Sequence, residues 1–129
     1  MSKIRKHSVA VVISQNDTIL AVRRPDDDDE LPGIWGLPAG TCKIEETVQD
    51  VIVRIGREKL GVELEPIRRL ASGSQERPGY LLYMELWEVL MTGTPNHPNW
   101  QWAEVDFLQP GAVAGSLCCE LVLKAEKPR

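Results

Sequence analysis

Residues 35–62 constrain the fold most, because they join a short strand to a helix through a tight turn. The apolar run W-G-L ends in Pro-Ala-Gly, a carboxylate pair follows, and a helical pattern runs from Thr47 to Gly61. Unpaired N–H groups and the positive end of the helix dipole favour anions in the loop before a helix. The stretch therefore predicts a site for phosphates and their metal ions.

The helix has a recognisable start and an apolar side. Thr47 suits the N-cap, and Asp50, three residues later, completes a capping-box pattern. At about 100° per residue, the aliphatic residues on one side are Val48, Val51, Ile52 and Ile55. The charged residues that follow another side in steps of four are Glu46, Asp50, Arg54 and Glu58. Such pairs stabilise a helix by roughly a few tenths of a kcal/mol each, so their spacing alone assigns them no chemistry.

The rest of the chain predicts strands on both sides of this helix. The predicted strands cover residues 7–13, 18–22, 34–37, 64–74, 80–91 and 100–105. Residues 106–111 fit a turn or a single helical turn, and residues 112–125 fit a closing helix. This order predicts one α/β domain over residues 1–129, a sandwich with a mixed β-sheet between helices.

Composition narrows the possible partners. A hydrophobic content of 43% and a charged content of 26% are ordinary for a soluble globular protein. The net charge of −4 gives no general attraction to double-stranded nucleic acid or to an anionic membrane. The chain has three cysteines, Cys42, Cys118 and Cys119, and the last two are adjacent. An odd count with two neighbours favours a reducing compartment over a disulfide framework. We therefore expect a cytoplasmic protein, monomer or homodimer, with a small-molecule partner.

Three features outside the helix leave alternatives open. Arg23 and Arg24 end the second predicted strand, where they could clamp a phosphate bidentately or remain solvated surface cations. The acidic run at residues 26–30 could bind a cation, but consecutive like charges favour a solvated loop. Trp35 could stack on a ligand base, although a role in plugging the core is favoured.

Residues 40–62 resemble the signature of the Nudix hydrolases, G-x5-E-x7-R-E-U-x-E-E-x-G-U, in which U is a bulky aliphatic residue. The positions that match are Gly40, Glu46, Arg54, Glu58, Gly61 and Val62. The approach W-G-L-P-A-G, the preceding R-R-P and the later W-Q-W extend the similarity over nearly the whole chain. The resemblance implies a Nudix-type α/β/α sandwich.

The signature is degenerate at three positions. Ile55 and Lys59 stand where the family has glutamates, and Gly56 stands where it has an aliphatic residue. Glutamates at the positions matching 55, 58 and 59 lie about one helical turn apart, so their carboxylates converge and gather Mg²⁺. Ile55 instead prolongs the apolar stripe, and Lys59 brings a positive charge to a cation site. We expect a weakened metal cluster.

The resemblance also implies roles for individual residues. It implies hydrolysis of a diphosphate bond in a nucleoside diphosphate linked to another moiety, with Mg²⁺ or Mn²⁺. Glu58 and the Gly40 carbonyl would bind the metal, and Arg54 would orient Glu58. Arg23 or Arg24 would hold phosphate. Glu46 and Arg54 resemble a structural pair that holds the loop to the helix, which Gly61 ends.

A further metal-binding acid, often present in the family, is not assigned by the sequence. Its candidates are Glu85, Glu88 and Glu104. Glu85 and Glu88 are an odd number of residues apart on one predicted strand, so they should project from opposite faces of the sheet.

The alternative is a catalytically impaired module that binds a nucleotide or another phosphate compound. In it, Lys59 pairs with a ligand phosphate in place of the metal, which an ammonium can do as a point charge. A third possibility, an interaction domain without a small-molecule ligand, has little positive support in the sequence.

Overall fold

A mixed sheet forms the centre of the molecule. The computed structural model describes residues 4–125, so both ends of the predicted domain 1–129 lie outside the described residues. The strands are β1 (Ile4–Gln15), β2 (Thr18–Arg23), β3 (Trp35–Gly36), β4 (Ala39–Thr41), β5 (Glu63–Arg77), β6 (Tyr80–Thr92) and β7 (Trp100–Ala103). The six predicted strands are all present, and β4, which is too short to show a periodic pattern, is an addition.

The strand order is β3-β2-β1-β6-β5, with β4 paired to β1 and β7 paired to β2. β1 and β6 run parallel, from the pair Ile4–Tyr80 to the pair Ile13–Val89, whereas the other pairings are antiparallel. The sheet is therefore mixed, as the sequence predicts.

Helices cover both faces of the sheet. They are α1 (Val48–Arg54), which continues as a π-helical segment (Ile55–Leu60), a 3-10 turn (Val105–Leu108), α2 (Gln109–Val113) and α3 (Leu117–Lys124). No helix within residues 4–125 is long and apolar enough to cross a membrane.

Alternation along the strands builds two cores. On β1, Val9, Val11 and Ile13 pack with α1, while Ala10 and Val12 pack with α3. The α1 side is completed by Val51, Ile52, Ile55 and Leu60, all with no exposed surface. The α3 side includes Leu86, Leu117, Cys119 and Leu121. The predicted apolar stripe of the helix is confirmed, and the molecule is an α/β/α sandwich.

The start and end of the first helix follow the sequence signals. Thr47 Oγ1 accepts the Asp50 N–H at 3.1 Å, and Asp50 Oδ2 accepts the Thr47 N–H at 2.9 Å, which makes the predicted capping box. The π-helical segment stops at Gly61, which has φ of 67°. Glycine suits this end because the left-handed conformation costs it little.

The predicted closing helix over residues 112–125 is wrong at its start. Gly115 has φ of 106° and separates α2 from α3, and Ser116 caps α3 by accepting the Cys119 N–H. A left-handed residue interrupts the helical path, so one predicted helix becomes two short ones.

Candidate phosphate-binding site

The site is a pocket of about 250 Å³ between the α3 face of the sheet, the turn after β3, and the start of α3. Ser8 of β1 and Met84 of β6 line its floor, and Ser116 and Cys118 line one wall. The turn between β3 and α1 contributes Gly40 and its neighbours. The pocket therefore touches the stretch that the sequence analysis singled out.

Two cations meet the turn at one end of this pocket. Lys59 and Arg24 line it together with Ala39 and Gly40, and the Lys59 ammonium donates to the Ala39 carbonyl. Arg24 Nη1 donates to Asp28 Oδ2 at 2.8 Å, which holds the guanidinium in place. We call this group of Arg24, Lys59 and Gly40 the phosphate end.

The pocket environment lowers the pKa of the Lys59 ammonium. Although the residue as a whole is exposed, its ammonium lies within the pocket. Desolvation of this ammonium, followed by the nearby charges of Arg54 and Arg24, lowers the pKa of Lys59 below its ordinary value of 10.5. An anion bound here would favour the charged ammonium, as the nearby carboxylate of Glu58 already does.

Packing explains the other two departures from the Nudix signature. Ile55 is fully buried, and a Cβ added to Gly40 would lie 3.1 Å from Ile55 Cγ1, so the turn rests directly on this side chain. A Cβ added to Gly56 would lie 2.8 Å from both Leu64 Cγ and the Val62 carbonyl oxygen. Leu64 therefore fills the space that an aliphatic side chain at position 56 would need.

Glu46 and Arg54 connect the loop to the helix. Arg54 Nε donates to Glu46 Oε2 at 2.9 Å, and Arg54 Nη2 donates to Glu46 Oε1 at 3.0 Å and to the Thr41 carbonyl at 2.6 Å. Glu46 Oε1 also accepts the Lys43 N–H at 2.8 Å. The Arg54 hydrogen bonds, with that N–H, lower the pKa of Glu46, and the same pair raises the pKa of Arg54.

Two predicted site residues lie outside the pocket lining. The Glu58 side chain is 60% exposed, and its Oε2 lies 4.0 Å from Arg54 Nε. Arg23 Nη2 donates to Asp26 Oδ1 at 2.5 Å and faces Gly33. The structure therefore brings Arg24, Lys59 and Gly40 together in the pocket lining. Arg23 and Glu58 lie outside that lining.

The three candidates for a further acid are also placed away from the pocket. Glu85 lies on the α1 face, where its Oε2 is 2.6 Å from His7 Nε2. Glu88 lies on the α3 face, where it accepts from Arg68 Nε at 3.0 Å. The opposite orientation of these two carboxylates is confirmed. Glu104 is exposed just before the 3-10 turn.

The acidic run at residues 26–30 lies in an exposed loop, as the sequence favours, although some of its carboxylates are paired within the loop. Asp26 and Asp28 accept from Arg23 and Arg24, three and four residues earlier, a local spacing that the sequence displays. Asp28 Oδ2 also accepts the N–H groups of residues 30 and 31, and the hydrogen bond from residue 31 is the main cause of its lowered pKa.

Sequence reasoning missed a second polar group, at the far end of the pocket. Glu30 Oε1 accepts from the Tyr80 hydroxyl at 2.5 Å, and Glu30 Oε2 accepts from Arg77 Nη1 at 2.6 Å. The partners of Glu30 are 47 and 50 residues away in the chain, so no local pattern reveals them. Trp35 packs against the core beside Phe107, with ring centroids 5.5 Å apart, in agreement with the favoured packing role.

Comparison with known proteins assigns the family. Residues 4–115 match the profile of the NUDIX domain, so the chain belongs to the Nudix family. It is 31% identical over 81 residues to the CTP pyrophosphohydrolase of Escherichia coli (strain K12), an alignment that covers 63% of this chain and 59% of that relative. The solution structure of the E. coli ORF135 protein covers 94% of this chain and 90% of its own, with a TM-score of 0.78 at 25% identity.

A second solved structure agrees in fold alone. The MutT protein from Methanosarcina mazei Go1 has a TM-score of 0.73 at 18% identity, covering 82% of this chain and 81% of its own. These likenesses confirm the predicted sandwich.

Nudix hydrolases generally use divalent metals such as Mg²⁺, and the residues of this chain do not fit a resident metal cluster. Within residues 4–125, no group of three or more His, Cys, Asp or Glu side chains is placed to hold a metal ion. Mg²⁺ requires oxygen ligands in octahedral geometry, and the Ile55 side chain offers none. The Ala39 carbonyl oxygen accepts a hydrogen bond from the Lys59 ammonium.

Proposed function

We propose that this chain hydrolyses a diphosphate bond in a nucleoside diphosphate linked to another moiety, and that it does so slowly. The observation that carries the proposal is the phosphate end of the pocket. There the Nudix turn, Arg24 and Lys59 converge although they come from three separate parts of the chain. An anionic ligand is the natural partner of two cations that line one end of a pocket.

Each residue of the phosphate end has a proposed task. Lys59 neutralises a phosphate as a point charge, and Arg24, held by Asp28, binds phosphate oxygens through its planar guanidinium. Arg54 keeps the loop on the helix through Glu46. Positioning of the diphosphate is therefore the contribution that this chain makes most directly to the reaction.

Glu58 and the Gly40 carbonyl remain the proposed protein ligands for Mg²⁺ or Mn²⁺. Because they do not form a cluster, a divalent ion would depend mainly on the oxygens of the diphosphate. This is the reason for expecting slow turnover. The name of the E. coli relative, CTP pyrophosphohydrolase, supports a nucleotide as the substrate class. A cytoplasmic location, a monomer or homodimer, and no double-stranded nucleic acid partner stay predictions.

A specific observation favours a second candidate function, which is nucleotide binding without hydrolysis. The Lys59 ammonium donates to the carbonyl next to Gly40, so the protein supplies its own cation where the family signature calls for a glutamate. In this case the ligand phosphate would bind to the ammonium without any metal.

The two candidates are separated by measuring hydrolysis and binding on the same variants. Phosphate or pyrophosphate release is followed on a panel of nucleoside triphosphates and nucleotide sugars with Mg²⁺ or Mn²⁺, and calorimetry measures binding in EDTA. Hydrolysis that falls in Glu58→Gln supports the enzyme. No release above the Glu58→Gln background on any substrate, with binding that survives EDTA, supports the binding module.

Lys59→Gln tests the phosphate end in both cases. Removing one charge-assisted contact should weaken binding by about tenfold or more. Lys124→Gln is the matched control, because Lys124 is a surface lysine paired with Glu120 on α3 and lies away from the pocket lining. Equal affinity in wild type and Lys59→Gln would reject both candidates as described here.

A further inference from the structure

The end of the pocket opposite the phosphate end carries a fixed carboxylate. Glu30, Arg77 and Tyr80 all line the pocket there, and both oxygens of Glu30 are held, one by the Tyr80 hydroxyl and one by Arg77 Nη1. Arg77 is fixed in turn, because its Nε donates to Gln75 Oε1 at 2.7 Å and its side chain is 12% exposed. The carboxylate therefore has a defined position.

The charge of this carboxylate is also defined. The hydrogen bond from Tyr80 is the main cause that lowers the pKa of Glu30, and the charges of Arg77 and Arg24 add to it. Burial and the same hydrogen bond raise the pKa of Tyr80, so its hydroxyl remains a donor. Glu30 is consequently an anion that can only accept hydrogen bonds.

Glu30 has acceptor capacity to spare. A carboxylate offers about four lone-pair positions, and Tyr80 and Arg77 use one on each oxygen. The side chain is 40% exposed, so further donors can reach it from the pocket. A ligand group that forms a hydrogen bond with Glu30 itself must therefore be a donor.

The strand register gives the backbone separation along β1 between Tyr80 and Thr41, the residue after Gly40. Tyr80 pairs with Ile4 and Thr41 pairs with Ser8, both on β1. Four residues of a strand span about 13 Å. This is comparable to the length of an extended nucleoside diphosphate. With the phosphates at Arg24 and Lys59, as proposed above, the base would extend toward Glu30, where Lys6 and Arg77 also line the pocket.

We propose that Glu30 is a specificity-determining residue that selects a nucleobase with an exocyclic amino group, so that cytosine is bound in preference to uracil. This inference rests on the proposed function. Cytosine presents the N4 amino donor, a known partner of carboxylates, whereas uracil presents the O4 acceptor at the same position. The two bases are matched in size, so the difference between them reports the contact with Glu30.

The test compares CDP and UDP by calorimetry in EDTA, where neither is hydrolysed. Wild type should bind CDP about tenfold more tightly than UDP, because an unpaired acceptor facing a fixed carboxylate is costly. In Glu30→Gln the CDP/UDP affinity ratio should approach one, since an amide can donate as well as accept. A purely structural role of Glu30 would instead lower both affinities by the same factor.

Asp27→Asn is the matched control, because Asp27 is an exposed carboxylate of the same loop outside the pocket lining. Its CDP/UDP ratio should equal that of wild type. Equal binding of CDP and UDP by wild type overturns the specificity proposal without the use of any variant. Binding of neither nucleotide, nor of inorganic pyrophosphate, either in EDTA or with Mg²⁺, overturns the proposed function and the specificity proposal with it.

Discussion

The most consequential residue of the degenerate signature is Lys59. A glutamate at this position offers oxygen ligands to a metal, whereas the ammonium of Lys59 is itself a cation and donates to the Ala39 carbonyl. The sequence shows the charge reversal, but it does not show where the ammonium lies. The ammonium lies in the pocket near the positive charges of Arg54 and Arg24, and Glu58 is a nearby carboxylate that favours its charged form.

The binding of inorganic pyrophosphate should depend on pH through Lys59. The lowered pKa means that the free pocket loses the ammonium charge at a lower pH than an ordinary lysine would. A bound anion favours the charged form, so binding should be coupled to proton uptake and affinity should fall as pH rises through the lowered pKa, below 10.5. Calorimetry in buffers of different ionisation enthalpy measures this uptake, and a pH dependence that persists unchanged in Lys59→Gln would contradict the assignment.

At the scale of elements, the first helix shows what local sequence can and cannot predict. Its capping box, apolar stripe and glycine end are local patterns, and all of them are confirmed. The π-helical segment from Ile55 to Leu60 has no local sequence signal, and within it Gly56 packs against Leu64, a residue of the next strand. Such segments are rare and often occur at functional sites.

Replacing a glycine within a helix by alanine usually stabilises a protein. At Gly56 we expect the opposite, because this residue packs tightly against Leu64. Alanine is normally the better helix former by about 1 kcal/mol, yet here the added Cβ would meet Leu64 Cγ and the Val62 carbonyl at 2.8 Å. We expect Gly56→Ala to lower the free energy of unfolding by about 1–3 kcal/mol, measured by urea denaturation. In a Leu64→Ala background the same change should cost less, and strictly additive effects would show that the two positions do not compete for space.

At the scale of the molecule, the sheet brings distant segments to one pocket. The sequence predicts Gly40, Arg24 and Lys59 as site residues, and their common location follows from the pairing of β4 with β1 and the packing of α1 behind it. The sequence does not predict Glu30, because its partners lie on the β5–β6 hairpin and reach the loop only through the parallel pairing of β1 with β6. Long-range pairing therefore builds the part of the pocket that we propose to recognise the base.

Restoring the two missing glutamates tests whether the whole fold still presents a metal site. Ile55 is fully buried against Gly40, so Ile55→Glu combined with Lys59→Glu places a carboxylate in the core and should destabilise the protein in EDTA. If the helix and turn converge as in the family, Mg²⁺ should bind the double variant and raise the melting temperature of that variant. A ligand that binds the native state stabilises the native state by mass action. Wild type and Lys59→Glu alone, which lack the full carboxylate set, should respond little to Mg²⁺. A gain in Mg²⁺-dependent hydrolysis should accompany the shift in melting temperature. A double variant that folds yet shows no shift would indicate that the turn after β3 no longer directs these positions to one point.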